Sequence, residues 1–213
     1  MAITAGQEGR ASDFINTSAG AGDEGKVPKL NAEGILDGSF IKNKIEIVIF
    51  TSSGTWTKDA GLKYIVVEVV GGGGTGSAGQ APASGDQYSG FGGSGGGYAK
   101  KILTASQLGA TEAVTIGAAG ASCTFEVTGG TNVVGNGGAD YAGVAGTATG
   151  GDLNISGQVG NGRNLEDLGG RGGLTTLGMI GAGGDGGDVS SNSELRAGKV
   201  GKIGVVIVTE YYS

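Results

Sequence analysis

Glycine constrains the fold of this chain more than any other residue type. It accounts for 50 of the 213 residues, about three times its ordinary share of a protein. Each glycine loses more backbone freedom on folding than alanine does, at a cost of roughly 0.5–1 kcal/mol. Collagen does not explain this composition, because glycine is irregularly spaced and Pro28 and Pro82 are the only prolines. The glycine-rich stretches must therefore recover their folding cost through backbone hydrogen bonds or through packing against another chain.

Short apolar runs flank the glycine tracts and predict an all-β fold. The run at residues 63–70 is nearly continuous in apolar side chains, a pattern typical of a strand buried on both faces. Six or seven such runs separated by turns predict a small antiparallel sandwich or barrel. The predicted strands are residues 45–50, 63–70, 98–103, 113–116, 122–127, 152–155 and 203–208.

The glycine tracts at residues 71–97 and 129–201 are predicted to be long ordered loops. Loops of this length without strands are uncommon in compact domains. Glycine-rich segments can, however, form polyproline II strands that pack closely and share backbone hydrogen bonds, because glycine has no side chain to keep the backbones apart. Order is therefore favoured over disorder, with the loops partly in the polyproline II conformation.

Residues 1–43 differ in composition from residues 44–213 and predict a separate segment. They are polar, and their apolar residues are too sparse to form a core within one chain. These residues could pack if several copies ran side by side. The sequence thus predicts an extended N-terminal attachment and oligomerisation arm at 1–43 and a glycine-rich β domain at 44–213. The isolated apolar residues of the arm are Phe14, Ile15, Val27, Leu30, Ile35, Leu36 and Phe40.

Charge and composition argue against several classes of function. The formal net charge is −6, without a cluster of Lys or Arg, so no nucleic-acid partner is expected. The sequence contains no run of 18 apolar residues, so membrane insertion is not expected, and no secretory signal is recognised. Histidine is absent, and Cys123, the single cysteine, is predicted to be a small buried core residue. The sequence predicts no catalytic residue, cofactor or metal site, and the chain is not expected to be an enzyme.

Two acidic motifs are candidates for a metal site or a catalytic pair. Residues 183–188 fit the start of a calcium-binding β-roll repeat through Asp185 and Asp188, but the motif has no tandem copy. A plain turn is favoured over calcium binding. Glu166 and Asp167 could form a glycosidase pair, but solvated loop charge is favoured, because such groups are rarely buried.

Isolated aromatic residues in the glycine-rich segments are the best candidates for binding a receptor. Tyr88, Phe91 and Tyr141 could stack on sugars or enter protein grooves, and they could equally anchor the loops onto the sheet. Arg163 and Arg171 could pair with acidic glycans. They could also cap loop carbonyl groups, an interpretation that is slightly favoured.

Several motifs resemble the glycine-rich domain of bacteriophage tail fibres. The opening motif combines FTSSGTWTKDAG at residues 50–61, the Val-rich run and the four glycines at 71–74. Asp59 departs from this pattern, since the family often has proline there. The remaining matches are GGGYAKK at 95–101, GGDLNI at 150–155, GVVIVTE at 204–210 and the stalk-like segments at 11–16 and 25–31.

This resemblance implies a structural phage tail-fibre or fibre-tip protein that is homotrimeric and located in the virion tail, outside the cell. Its arm would attach to other virion or fibre components. Its head would display glycine-rich loops to a host cell-surface glycan or protein. The alternative is a self-assembling subunit of an extracellular filament or sheath, in which protomers exchange arms or edge strands.

Overall fold

A computed structural model describes much of the chain. The described residues are 14–15, 27–28, 44–80, 88–141, 143–162, 171–178, 180–187 and 196–212, with the backbone alone described at 14–15 and 27–28. The chain divides into two units, residues 1–44 with 212–213 and residues 45–211, and the described residues of each are considered separately.

In the first unit, strand β1 (Phe14–Ile15) pairs in parallel with strand β2 (Val27–Pro28). The other apolar residues predicted to belong to the arm lie outside the described residues.

The second unit contains two five-stranded sheets, which confirms the predicted all-β antiparallel fold. The first sheet has the order β11-β6-β5-β12-β3 and the second β10-β9-β8-β7-β4. Among the described residues, no helix is long and apolar enough to cross a membrane. The strands are β3 (Ile45–Phe50), β4 (Gly54–Thr57), β5 (Leu62–Val70), β6 (Tyr98–Thr104), β7 (Thr111–Thr115), β8 (Cys123–Phe125), β9 (Val133–Gly135), β10 (Ala148–Thr149), β11 (Leu153–Ile155) and β12 (Val205–Tyr212).

Three of these strands were not predicted from the sequence. β4, β9 and β10 are two to four residues long and include or adjoin glycine. Each of them pairs with a neighbour distant in sequence or across a loop, as in the register Gly54↔Val114 between β4 and β7. Such short strands carry no recognisable alternation, so only their tertiary partners define them.

The core lies between the two sheets. Strand β5 contacts β8 and β9, and its alternate residues Ile65, Val67 and Val69 are fully buried there. Cys123 and Phe125 meet them from the second sheet and are equally buried, as predicted for the cysteine. The prediction that residues 63–70 are buried on both faces is wrong within one chain, because the side chains that alternate with these three are only half-buried for most of the strand.

One buried hydrogen bond joins the two sheets near this core. The indole Nε1–H of Trp56 on β4 donates to the Glu210 carboxylate on β12 at 2.5 Å, and both side chains are buried. The Trp56 ring also lies 6.0 Å from the Phe125 ring, centroid to centroid. This hydrogen bond satisfies a buried donor and a buried carboxylate at once. Because it joins β4 to β12, it also fixes the position of one strand relative to the other.

The glycine tracts form a hydrogen-bonded bundle beside the sheets. Segment 71–80 donates backbone hydrogen bonds of 2.8–3.1 Å to two antiparallel neighbours, and the donors within each set lie three residues apart. A period of three residues is the signature of polyproline II, which has three residues per turn. The donor–acceptor pairs are Gly71–Gly97, Gly74–Ser94, Ser77–Phe91 and Gln80–Tyr88 on one side and Gly73–Lys202, Gly76–Lys199 and Gly79–Arg196 on the other.

Segment 88–97 repeats this pattern toward three further neighbours. Its amide groups again donate at intervals of three residues, each set to a different strand of the bundle. The predicted polyproline II packing is therefore confirmed for the described parts of the glycine tracts, which form a layered bundle. The pairs are Gly90–Gly187, Gly93–Gly184 and Gly96–Gly181; Gly92–Asn161 and Gly95–Gln158; and Ser94–Ala139 and Gly97–Asn136.

Close approach of backbones explains why glycine recurs at set positions in the bundle. Gly198, Gly201 and Gly204 lie three residues apart. A Cβ on each would lie within 3.0 Å of a backbone carbonyl oxygen in the neighbouring segment of the bundle. The oxygens concerned, on Gly76, Gly73 and Val70, are also three residues apart. Side chains are thus excluded from the inward-facing position of each turn, because another backbone already occupies that space.

Candidate functional site

The bundle has one end joined to the sheets and one end remote from them. Strands β5, β6, β9 and β12 all enter or leave the bundle at the sheet end. The nine polyproline II steps from Gly71 to Gln80 carry the chain about 28 Å from that end. We call the opposite end, at Gln80, Tyr88, Gly187 and Arg196, the distal end.

The chain leaves the bundle and returns to it at the distal end. Gln80 and Tyr88 exchange two backbone hydrogen bonds of 2.8 Å. A Cβ on Gly187 would collide with the carbonyl of Arg196, so these two positions also lie side by side. Nearer the middle of the bundle, Asn161 accepts a hydrogen bond from the Gly92 amide and donates to the carbonyl of Arg171 at 2.9 Å. The stretches that begin and end at these positions, residues 81–87, 163–170 and 188–195, lie outside the described residues.

Two of the predicted binding residues, Tyr88 and Phe91, belong to segment 88–97. Their backbones are held by the bundle, since Tyr88 pairs with Gln80 and the Phe91 amide donates to the Ser77 hydroxyl at 2.8 Å. Both side chains are half-buried. The aromatic rings are thus carried on a backbone that hydrogen bonds hold in place, near the distal end.

Tyr141 is the most exposed of the predicted aromatic residues. The residue is 58% exposed, and its φ of 60° makes it the only described non-glycine residue with a positive φ. The Tyr141 amide donates to the Thr75 carbonyl at 3.1 Å, and the Thr75 amide donates to Asp140 Oδ1 at 2.5 Å. These bonds hold a residue in a conformation that bulky side chains rarely adopt. Backbone strain of this kind often accompanies function, and the level of Thr75 puts Tyr141 halfway along the bundle, apart from Tyr88.

Arg171 lies in a charged cluster on the side of the bundle. Asp185 accepts a hydrogen bond from Lys199 Nζ at 3.0 Å and one from the Gly172 amide at 3.1 Å. The Lys199 bond, the Gly172 amide and the nearby Arg171 charge together lower the pKa of Asp185 below its ordinary value. The exposed Arg171 side chain therefore sits beside a carboxylate that already has cationic and amide partners.

The same contacts bear on the calcium motif. The Asp185 carboxylate is bonded to an ammonium group and an amide, and Asp188 lies outside the described residues. Within the described ranges, no group of three or more acidic, Cys or His side chains could hold a metal ion. Arg163, Glu166 and Asp167 also lie outside the described residues.

The lowered pKa of Asp185 predicts a small pH dependence of stability. Its contribution is present above the ordinary pKa of 3.8 and is lost as the pH falls through the lower folded-state value. We expect Asp185→Asn to lower the thermal midpoint slightly at about pH 6 and to have a smaller effect at about pH 2, because the stabilising charge is lost as the pH falls through the lowered pKa of Asp185. Thermal unfolding at the two pH values measures this difference, with the exposed turn variant Asp59→Asn as control. An equal loss at both pH values would contradict the assignment.

Sequence reasoning missed the residues that define the distal end. Gln80 and Arg196 attract no attention as residue types, and their importance comes from their place in the bundle. A signal was present in the spacing of Gly181, Gly184 and Gly187, which repeats at intervals of three residues. The overall irregularity of glycine hid this local period, because neighbouring segments need glycine on different faces.

Comparison with known proteins does not identify the chain. No family model matches the sequence, and no curated protein is significantly similar to it. The resemblance to phage tail fibres therefore stays a prediction from the quoted motifs.

Proposed function

We propose that this chain is a structural phage tail-fibre or fibre-tip protein that binds a host surface receptor with the distal half of its bundle. Its arm attaches to other components of the virion tail, and the assembled protein is a homotrimer. No catalytic step is part of this proposal.

The observation that carries the proposal is the geometry of the bundle. Backbone hydrogen bonds along segment 71–80 recur every three residues, and glycines keep the neighbouring strands in direct contact. A scaffold of this kind separates the distal end from the sheets by about 28 Å. It brings several segments of the chain together at a place remote from the sheets, as a receptor-binding tip requires.

The side chains in this region suit a glycan or protein surface. Tyr88 and Phe91 offer aromatic area on fixed backbone, and Arg171 offers a planar cation that can bind carboxylate groups. Tyr141, on the side of the bundle, adds a strongly exposed ring. Rigid aromatic residues lose little conformational entropy on binding. Arg163, which lies outside the described residues, is a further candidate predicted from the sequence.

The test is binding of the labelled full-length chain to a panel of bacterial cells and purified surface polysaccharides. We expect saturable binding to at least one surface, and a loss of about tenfold or more for the double variant Tyr141→Ala/Arg171→Ala. Val200→Ala, at an exposed apolar position elsewhere on the bundle, is the matched control and should bind like the natural chain. Binding that both variants leave unchanged would contradict the assignment of the site. Absence of binding to every surface would contradict the receptor function.

One observation favours the alternative of a self-assembling filament. β3 is an edge strand whose Ile45, Ile47 and Ile49 side chains are mostly exposed. Exposed apolar edge strands promote association between chains. Electron microscopy of the purified chain separates the two candidates, since discrete particles support a fibre tip and open polymers support a filament.

A further inference from the structure

One face of the first sheet is turned away from the second sheet, and we call it the outer face. Strand alternation places Ile45, Ile47 and Ile49 of β3 on it. The register Ile49↔Ile207 extends it onto β12, and the stacked rings of Tyr64 and Tyr211, 4.4 Å apart, extend it onto β5. On the far side, Val66 lies opposite Ile102 of β6. The outer face thus runs across the sheet, with Leu153 of β11 at its other edge.

The outer face is apolar and largely open in the single chain. Near the bundle it is covered, because Val70, Tyr98 and Val205 form a buried cluster with Leu177 packed against it. Away from the bundle no described residue covers it. Ile45, Ile47, Ile49 and Ile102 are 56–63% exposed, and Leu153 is 48% exposed. With the half-buried side chains between them, these residues form one contiguous apolar patch, and large contiguous patches of this kind mark interaction sites on soluble proteins.

The charges on the outer face cancel within the face itself. Glu68 and Lys100 lie opposite one another on β5 and β6, with Lys100 Nζ 3.8 Å from Glu68 Oε1, and Glu68 also accepts a hydrogen bond from the Tyr98 hydroxyl. A charged partner such as an anionic polymer would find no net charge to bind. An identical face would bring the same neutral pair and the same isoleucines, so no charge would be left unpaired on association.

We infer that copies of this chain associate with one another through the outer face, with three sheets around a common axis. This inference rests on the proposed fibre tip for the number of copies, and on the outer face for the place of contact. The nearly continuous apolar pattern of β5 is typical of a strand buried on both faces, and association would bury the second face. Strand β3 begins at Ile45, directly after residues 1–44. Copies joined at β3 would therefore bring the C-terminal ends of their arms together. The sparse apolar residues of each arm could then pack against those of the other copies.

The test is the oligomeric state of the full-length chain by sedimentation velocity and mass photometry. We expect a particle of three times 20.6 kDa for the natural chain at micromolar concentration. Ile47→Lys/Ile49→Lys should weaken self-association by roughly 100-fold or more, because it would bury two ammonium groups in an apolar contact. Ile102→Lys, on the opposite side of the outer face, should have the same effect. Val200→Lys, at a 68% exposed position on the bundle, should leave the oligomer intact.

Each variant must first retain the far-ultraviolet circular dichroism of the natural chain, as expected for changes at exposed positions. A monomeric natural chain would overturn the inference and leave a protein of different sequence as the occupant of the outer face. An oligomer that survives in both lysine variants would overturn it as well. These results are independent of receptor binding. A monomer that still binds cells refutes the interface and the proposed homotrimer and leaves the receptor function standing, whereas an oligomer that binds no surface refutes only the receptor function.

Discussion

Replacing Gly93 with alanine is expected to lower the free energy of unfolding by about 3 kcal/mol or more. Gly93 lies in the middle of the bundle, where its amide donates to the Gly184 carbonyl and its own carbonyl accepts from the Gly173 amide, both at 2.8 Å. A Cβ at this position would lie closer than 3.0 Å to the carbonyl oxygen of Gly74. The obstacle is backbone held by its own hydrogen bonds, so relief requires whole strands of the bundle to separate.

For a domain of this size, that loss corresponds to a fall in thermal midpoint of roughly 6–12 °C. Circular dichroism and calorimetry of the full-length chain measure it. Gly162→Ala is the matched control, since a Cβ there would meet Phe91 Cε1 at 3.9 Å, an ordinary van der Waals contact. The control should stay within about 1 kcal/mol of the natural chain. Equal stability of the two variants would show that the bundle is not closely packed.

Replacing Trp56 with alanine is expected to destabilise the chain by about 3–5 kcal/mol. The indole is 2% exposed, it packs against the Phe125 ring, and it donates the hydrogen bond to Glu210 that joins β4 to β12. The substitution removes the largest buried side chain and leaves a buried carboxylate without this donor. Both losses act on the same core.

Trp56→Phe separates these two contributions. It retains most of the ring volume and removes the N–H donor to Glu210, so its expected cost is about 1–3 kcal/mol. Denaturant unfolding followed by circular dichroism gives both values on one scale. If Trp56→Phe matches the natural chain and Trp56→Ala loses less than about 2 kcal/mol, the Trp56 contacts do not stabilise the fold as described here.

The longer strands were predictable because their side chains carry the information locally. Apolar, β-branched runs at β3, β5, β6 and β12 indicate strands whatever lies beside them. β4, β9 and β10 could not be predicted, since two to four residues with glycine among them become strands only when a partner supplies hydrogen bonds. The pairing of β4 with β7 joins residues more than 50 positions apart.

The candidate site was predictable in residue type and not in place. The exposure of Tyr141 and its positive φ result from bonds to Thr75, which lies 66 residues earlier in the chain. The grouping of Gln80, Tyr88, Gly187 and Arg196 at one end of the bundle depends on the register of several strands. None of these relations leaves a local pattern, because backbone hydrogen bonds carry no side-chain signature.

Glycine shows most clearly what the sequence determined by itself. Its abundance excluded a large side-chain core in the tracts at residues 71–97 and 129–201, so backbone hydrogen bonds had to compensate for the cost of folding. Polyproline II packing was expected for this reason. Only the tertiary structure decided that the tracts stack into one bundle with the distal end about 28 Å from the sheets. It also decided which glycines are obligatory, such as Gly93 and Gly204, and which have room, such as Gly162. The reason is that composition reports how little space each residue needs, whereas only the packed neighbours determine whether that space is already occupied.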